Sequence, residues 1–373
     1  MNNNDKKVNS MLGSKFCELP KIVQFELINR CNHNCIFCSN YTPYLKKSNN
    51  SHWKSRKIDY DEIERDESWK RKKLSYPLFK KIMKDLSGAW IQFTGGGEIF
   101  LHPKVMQFIK YTMKKAGKLQ IFTNGTLIDK NKFKKLCKLK VNMININIPS
   151  ATANSYVKNI PNQTIKNFDK LINNLIWLSH LKQRDYYPLI KIVNVVTNKN
   201  YISIGSMIKL ADKVNAFAIE FVPLQIKVNL LKNLLLSRNQ IMFLIKNRNY
   251  YLNLCKKHKL ETNFDNFLKL ISNKEALNGK YTFELYNKIG CNIGWYLTHV
   301  GVDGEVSPCC LHKPISVTNG DLKSVWLSKE YNEFRKKLIF LSKKRIKPKL
   351  CEGCHHCPHI LDNLNFYTKF QNF

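Results

Sequence analysis

No stretch of this chain reaches the ~18 consecutive apolar residues that a membrane-spanning helix needs. The Asn- and Lys-rich start, Met1 to Ser10, has no apolar run followed by a cleavage site. Neither a membrane protein nor a secreted one is expected, and the expected compartment is the cytoplasm. No internal repeat is visible. Acidic residues are scarce: 27 Asp and Glu stand against 62 Lys and Arg, a formal net charge of +35. Such a balance invites a nucleic-acid reading, because Lys and Arg neutralise phosphates. Two local clusters support it, Lys70, Arg71, Lys72 and Lys73 beside Trp69, and Lys343, Lys344, Arg345, Lys347 and Lys349. Yet Lys, Asn and Ile are abundant everywhere, as a genome-wide bias produces, and lysines on helix faces are ordinarily solvated. Charge alone therefore does not make nucleic acid the expected partner.

What is present describes a folded chain. A hydrophobic fraction of 43% with 12% aromatic residues argues against disorder, and 373 residues suffice for one large domain with an appendage or for two modest domains. From Lys21 to about Gln225, short β-branched runs alternate with amphipathic stretches, the pattern of parallel βα units. The expected strands are Ile22–Ile28, Trp90–Phe93, Leu119–Phe122, Met143–Ile148, Leu189–Val196 and Ala216–Val222. The expected helices are Tyr76–Leu86, Val105–Ala116, Lys130–Lys138, Thr164–Leu181 and Ile202–Val214, with Leu230–Leu236 and Gln240–Lys259 helical beyond them. Residues 39–75 form a long polar connection, a length common in lids.

The 12 cysteines are clustered, and in a reducing compartment clustered cysteines point to metal ligands rather than disulfides. Cys31, Cys35 and Cys38 stand in C-x3-C-x2-C spacing directly after the first strand run. Three thiolates on one loop suit a four-iron cluster that leaves one iron open to a small molecule. Zinc is the competing occupant, but it takes four ligands, usually from two paired knuckles, and His33 sits between the cysteines rather than at ligand spacing. Further on, Cys291 precedes Gly304 and Cys309 around a run, Trp295 to Pro308, that reads as a β-hairpin with an Asp-Gly turn. Cys351, Cys354 and Cys357 follow. Zinc competes more strongly there, because His355, His356 and His359 crowd the cysteines. Cys17, Cys137 and Cys255 fit neither pattern and read as buried thiols.

The cysteine loop, with Phe37 just before its third cysteine, resembles the signature of the radical SAM enzymes. Gly95-Gly96-Gly97-Glu98 resembles the family's GGE segment, and Thr123-Asn124-Gly125-Thr126 its TNG turn. The resemblance implies a (β/α)6 partial TIM-type barrel with a small C-terminal α+β cluster-binding domain of the SPASM/twitch type. The expected division is a tail at 1–20, the barrel at 21–228, a helical linker at 229–285, the cluster domain at 286–362 and a tail at 363–373. It also implies a [4Fe–4S] cluster on Cys31, Cys35 and Cys38, with S-adenosylmethionine contacted by Phe37, Gly96, Gly97, Glu98, Asn147 and Asn194. One auxiliary [4Fe–4S] cluster is implied on Cys291, Cys309, Cys351 and Cys354, with Cys357 able to replace one of them and Cys310 competing with Cys309. Around Asn147 the sequence departs from the family's usual Ser, Asp and Gly pattern, with Ile146-Asn147-Ile148-Pro149-Ser150 in its place, whereas Asn194 falls at a position often polar in the family. The implied activity is reductive cleavage of S-adenosylmethionine and hydrogen-atom abstraction from a substrate, a peptide or protein side chain or, alternatively, a small-molecule alcohol such as a sugar. An electron donor such as flavodoxin or ferredoxin is the expected partner; no residue is marked as the catalytic base. The reading from a different class is a basic zinc module that binds nucleic acid, which predicts zinc, no acid-labile sulfide and steep salt dependence.

Overall fold

The β-branched run Leu189–Val196 forms a strand whose burial alternates, every second residue from Ile190 to Val196 being buried. The same logic sets a parallel core of six strands: β1 (Ile22–Phe25), β2 (Trp90–Phe93), β3 (Leu119–Thr123), β4 (Met143–Asn147), β5 (Leu189–Val196) and β6 (Ala218–Pro223). A computed structural model of the chain describes residues 18–44, 72–226, 228–282, 291–344 and 357–360. The six strands pair in sequence order, each parallel to the next. That is the expected partial-barrel core. It extends at one edge by the short strand β7 (Glu261–Thr262), which pairs with β6.

At the other edge the hairpin anticipated in the sequence forms β8 (Leu297–Val300) and β9 (Glu305–Ser307), followed by β10 (Ser316–Val317). β8 pairs in parallel with β1, so the C-terminal segment continues the barrel sheet into one of ten strands. The linker region differs in detail from expectation. Leu230–Leu236 corresponds to a 3-10 stretch, Asn229–Leu234, and the single helix at Gln240–Lys259 is two, Arg238–Lys246 and Arg248–Lys257. The helices Ala153–Asn159 and Phe264–Ile271 were not anticipated.

Helices cover one face of the sheet. Tyr76–Ile82 and Val105–Lys115 pack aromatic rings on β1 and β2: Phe79 meets Phe108 at 4.6 Å between centroids and Phe25 at 5.1 Å. Phe25, Phe79, Phe93 and Phe108 are fully buried, and burying such side chains stabilises the fold by roughly 1.5–3 kcal/mol each. Because side chains alternate along a strand, the opposite face carries Gln24, Gln92 and Gln120. Their amides form a chain across three strands, Gln24 Nε2 to Gln92 Oε1 at 2.8 Å and Gln92 Nε2 to Gln120 Oε1 at 2.9 Å. This polar face lines the barrel interior, and its carboxyl-end rim carries the motifs.

Candidate functional site

The loop with Cys31, Cys35 and Cys38 leaves the end of β1, the glycine run leaves β2, and the Thr123–Thr126 turn leaves β3, so three segments meet at the rim where barrel active sites are built. They are bonded together. Glu98 N–H donates to the Arg30 carbonyl at 2.8 Å, fixing the glycine run against the start of the cysteine loop. Only glycine permits this approach: a Cβ on Gly97 would lie 2.2 Å from the Arg30 oxygen, and Gly95 has φ of +111°. Asn40 Nδ2 reaches the Gly96 carbonyl at 3.3 Å from the far end of the cysteine loop.

Glu98 is buried, and its carboxylate holds the neighbouring turn. Oε1 accepts from Thr123 Oγ1 at 2.7 Å and from Phe100 N–H at 3.0 Å; Oε2 accepts from Asn124 N–H at 2.7 Å. Burial raises its pKa above the usual carboxyl range, against the lowering effect of those hydrogen bonds. Expected from the resemblance as a cofactor contact, this side chain is an internal clamp. Asn124 and Thr126 continue the network. Asn124 Nδ2 donates to Asn32 Oδ1 at 2.8 Å, Asn32 Nδ2 to Thr126 Oγ1 at 3.0 Å, and Asn162 Nδ2 to the Asn32 carbonyl at 3.0 Å. His33 lies buried with Nε2 3.3 Å from Thr126 Oγ1, and burial lowers its pKa to about 4. The turn with Asn124 and Thr126 was expected from the resemblance, but its partners Asn32 and Asn162 were missed, because Asn is so common here that it reads as composition.

The three cysteines behave as one group. Burial pushes the Cys31 thiol up to about 12 and Cys35 well above its ordinary value, and each would repel the others as thiolates. Thiols kept neutral by burial and crowding are converted to thiolates by a metal group that takes their protons' place. Two donors already favour the anion at Cys31, the His33 N–H at 3.4 Å and the Asn124 side chain. Three thiols on one loop are a donor set suited to an iron–sulfur cluster, in which each iron takes one thiolate. Phe37 is buried on the loop between Cys35 and Cys38.

Asn147 and Asn194 do not come together. Asn147 registers with Val193 across the β4–β5 pair, so Asn194, one residue further, points to the opposite face, the one shared with Phe221 and the helix layer. Asn194 is fully buried there. Asn147 faces the interior beside Asn145, and its Oδ1 is buried without a partner. Sequence reasoning also missed the interior charges: His299 Nε2 lies 3.4 Å from Glu26 Oε1, linking β8 to the end of β1, and Lys191 pairs with Glu220 at 3.0 Å. Polar residues at alternate strand positions were the available signal.

Of the C-terminal candidates, Cys291 packs against Trp295, Phe334 and Leu338, while Cys309 and Cys357 are buried. Cys351 and Cys354 lie outside the described residues, as does most of the 39–75 connection. No helix among the described residues is long and apolar enough to cross a membrane.

Comparison with known proteins agrees with this geometry. The radical SAM superfamily model matches residues 25–195, and that of the SPASM iron–sulfur cluster-binding domain matches residues 291–358. The subtilosin biosynthesis protein AlbA of Bacillus subtilis is 30% identical over 147 residues, 39% of this chain and 27% of AlbA. The tungsten-containing aldehyde ferredoxin oxidoreductase cofactor-modifying protein of Pyrococcus furiosus is 29% identical over 128 residues, 33% of this chain and 29% of that protein. The matches thus span less than a third of either relative. Streptococcus suis SuiB, solved with its precursor peptide SuiA, shares the fold at a TM-score of 0.58 and 15% identity, over 95% of this chain and 74% of SuiB. The structure of anSMEcpe with bound AdoMet does so at 0.56 and 16%, over 94% and 97%.

Proposed function

The chain belongs to the radical SAM superfamily and carries a C-terminal SPASM domain, and from that premise we propose that it is a maturase that modifies a side chain of a peptide or protein. The observation that carries this reading is the convergence at one barrel rim of the three-cysteine loop, the glycine run and the Glu98-clamped turn. Peptide modification draws support from AlbA, a bacteriocin biosynthesis protein, and from SuiB, solved with a precursor peptide.

Cys31, Cys35 and Cys38 would hold a [4Fe–4S] cluster, and the chemistry supplied there is one-electron cleavage of S-adenosylmethionine, from which hydrogen-atom abstraction follows. The protein's own residues set the frame. Gly95 to Gly97 present backbone close to the cysteine loop with no side chains in the way, and Glu98 fixes the turn that carries Asn124 beside Cys31. Asn147, with an unpartnered buried oxygen facing the interior, offers an acceptor to a nucleoside or substrate group. Gln24, Gln92, Gln120 and Asn145 give the interior face a row of amides suited to an amide-rich substrate, flanked by the Glu26–His299 and Lys191–Glu220 pairs. A small reducing protein of the flavodoxin or ferredoxin type would supply electrons, and the cytoplasm is the compartment such chemistry needs.

The test is anaerobic reconstitution with iron and sulfide, followed by dithionite, S-adenosylmethionine and a short candidate precursor peptide. Deoxyadenosine should form, and a peptide mass change should accompany it. Deoxyadenosine formation coupled instead to oxidation of a sugar alcohol would refute the peptide assignment while leaving the cofactor chemistry standing.

A further inference from the structure

His359 touches two sulfurs. Its ring Nε2 lies 3.5 Å from Cys310 Sγ, and its backbone N–H donates to Cys357 Sγ at 3.3 Å. The two cysteines come from segments far apart in sequence: Cys310 follows β9, and Cys357 opens the turn at 357–360. The same local device occurs at the first cysteine loop, where the His33 N–H donates to Cys31 Sγ at 3.4 Å. In both, a Cys-x-His step turns the amide two residues on toward the sulfur, and a hydrogen bond to the charged form favours thiolate. The rings then diverge. That of His33 reaches Thr126, whereas that of His359 reaches a second cysteine.

The separation of 3.5 Å excludes one arrangement and leaves two. Each iron of a four-iron cube takes one protein ligand, so two ligands of one cube stand on different irons, beyond hydrogen-bond contact. His359 and Cys310 therefore cannot both ligate a cube. Two donors of a single tetrahedral zinc, with bonds of about 2.3 Å to sulfur and about 2.0 Å to nitrogen, would stand about 3.5 Å apart. The match of residues 291–358 to an iron–sulfur domain favours a cluster over zinc, with Cys310 as the ligand and the ring as hydrogen-bond donor to it.

We propose that Cys310 and Cys357 are thiolate ligands of one auxiliary iron–sulfur centre and that His359 is the positioning residue that holds them, through its backbone N–H on Cys357 and its Nε2–H on Cys310. The inference rests on the cluster reading of the C-terminal domain and adds Cys310 to the ligands expected from spacing. Hydrogen bonds to cluster sulfurs stabilise the added electron, so His359 raises the potential of this centre.

The test uses the full chain, reconstituted anaerobically. Cys310→Ser and Cys357→Ser should each lose the same iron and sulfide, about half of the total if the chain holds two four-iron clusters. Both should keep the spectral response of the N-terminal cluster to S-adenosylmethionine. His359→Ala should retain iron and shift the midpoint potential of the auxiliary centre downward; His359→Gln, whose amide can donate, should recover part of that shift. Undiminished iron in Cys310→Ser, an unshifted potential in both His359 variants, or zinc in place of C-terminal iron would overturn the proposal. Absence of any spectral response to S-adenosylmethionine in the parent protein would instead overturn the function on which it rests.

Discussion

The carboxylate of Glu98 accepts three hydrogen bonds while almost wholly removed from water, and so fastens the glycine run to the turn after β3. In Glu98→Gln an amide NH2 would face either Asn124 N–H or the donors at Oε1, and the unmet donor should cost about 1–3 kcal/mol. Its pH dependence has a defined sign. Burial raises the folded-state pKa above 4.5, so the stability Glu98 contributes is present below that value and is lost as pH rises through the folded one. Urea unfolding at several pH values should show the gap between parent and variant narrowing as pH rises across that window. Gly97→Ala places a methyl 2.2 Å from the Arg30 carbonyl, and overpacking against backbone costs about 1–3 kcal/mol. Thermal unfolding should register the loss, and iron bound at the first loop should fall. At this scale the cysteines and the glycine run were legible because their spacing is chemically unusual. The face that Asn194 takes was not legible, because a one-residue step along β5 changes it and only the strand register shows which.

Elements form where the sequence supplies both a period and a stop. The helix Lys130–Lys138 buries Phe133 and Leu136 and begins at Asp129, which accepts from Lys132 N–H at 2.8 Å and pairs with Lys132 Nζ at 2.6 Å. Both ends of that helix were readable from the chain. Asp129→Ala should cost about 1 kcal/mol at neutral pH. The Lys132 side chain and backbone N–H hold the Asp129 pKa below 3.8, so the cap's contribution stands above that value and fades as pH falls through the lowered one. Chemical unfolding of parent and variant should differ at pH 7 and converge in strong acid. Elements without such signals were missed. Glu261–Thr262 is too short to show a period. The break between Arg238–Lys246 and Arg248–Lys257 falls at Asn247, whose Nδ2 bonds the Phe243 carbonyl at 2.8 Å, with neither Pro nor Gly to announce it.

Across the whole molecule, the sequence showed two modules but not that they share a sheet, since pairing between β8 and β1 joins distant segments and leaves no local trace. The join is substantial: Ile22 N–H donates to the Tyr296 carbonyl at 2.8 Å and Glu26 N–H to that of Val300 at 2.9 Å, while His299 faces Glu26 inside the barrel. A chain ending at residue 285 would leave β1, the strand that feeds the cysteine loop, as an open edge. Such a truncation should associate or precipitate in light scattering where the full chain does not. The central claim is that Cys31, Cys35 and Cys38 hold the iron that cleaves S-adenosylmethionine. Its most direct test is deoxyadenosine formation under dithionite by the reconstituted parent and by the variant with all three replaced by Ala. The account predicts turnover in the parent and none in the variant, which should still retain its C-terminal iron; equal deoxyadenosine from both proteins would contradict it.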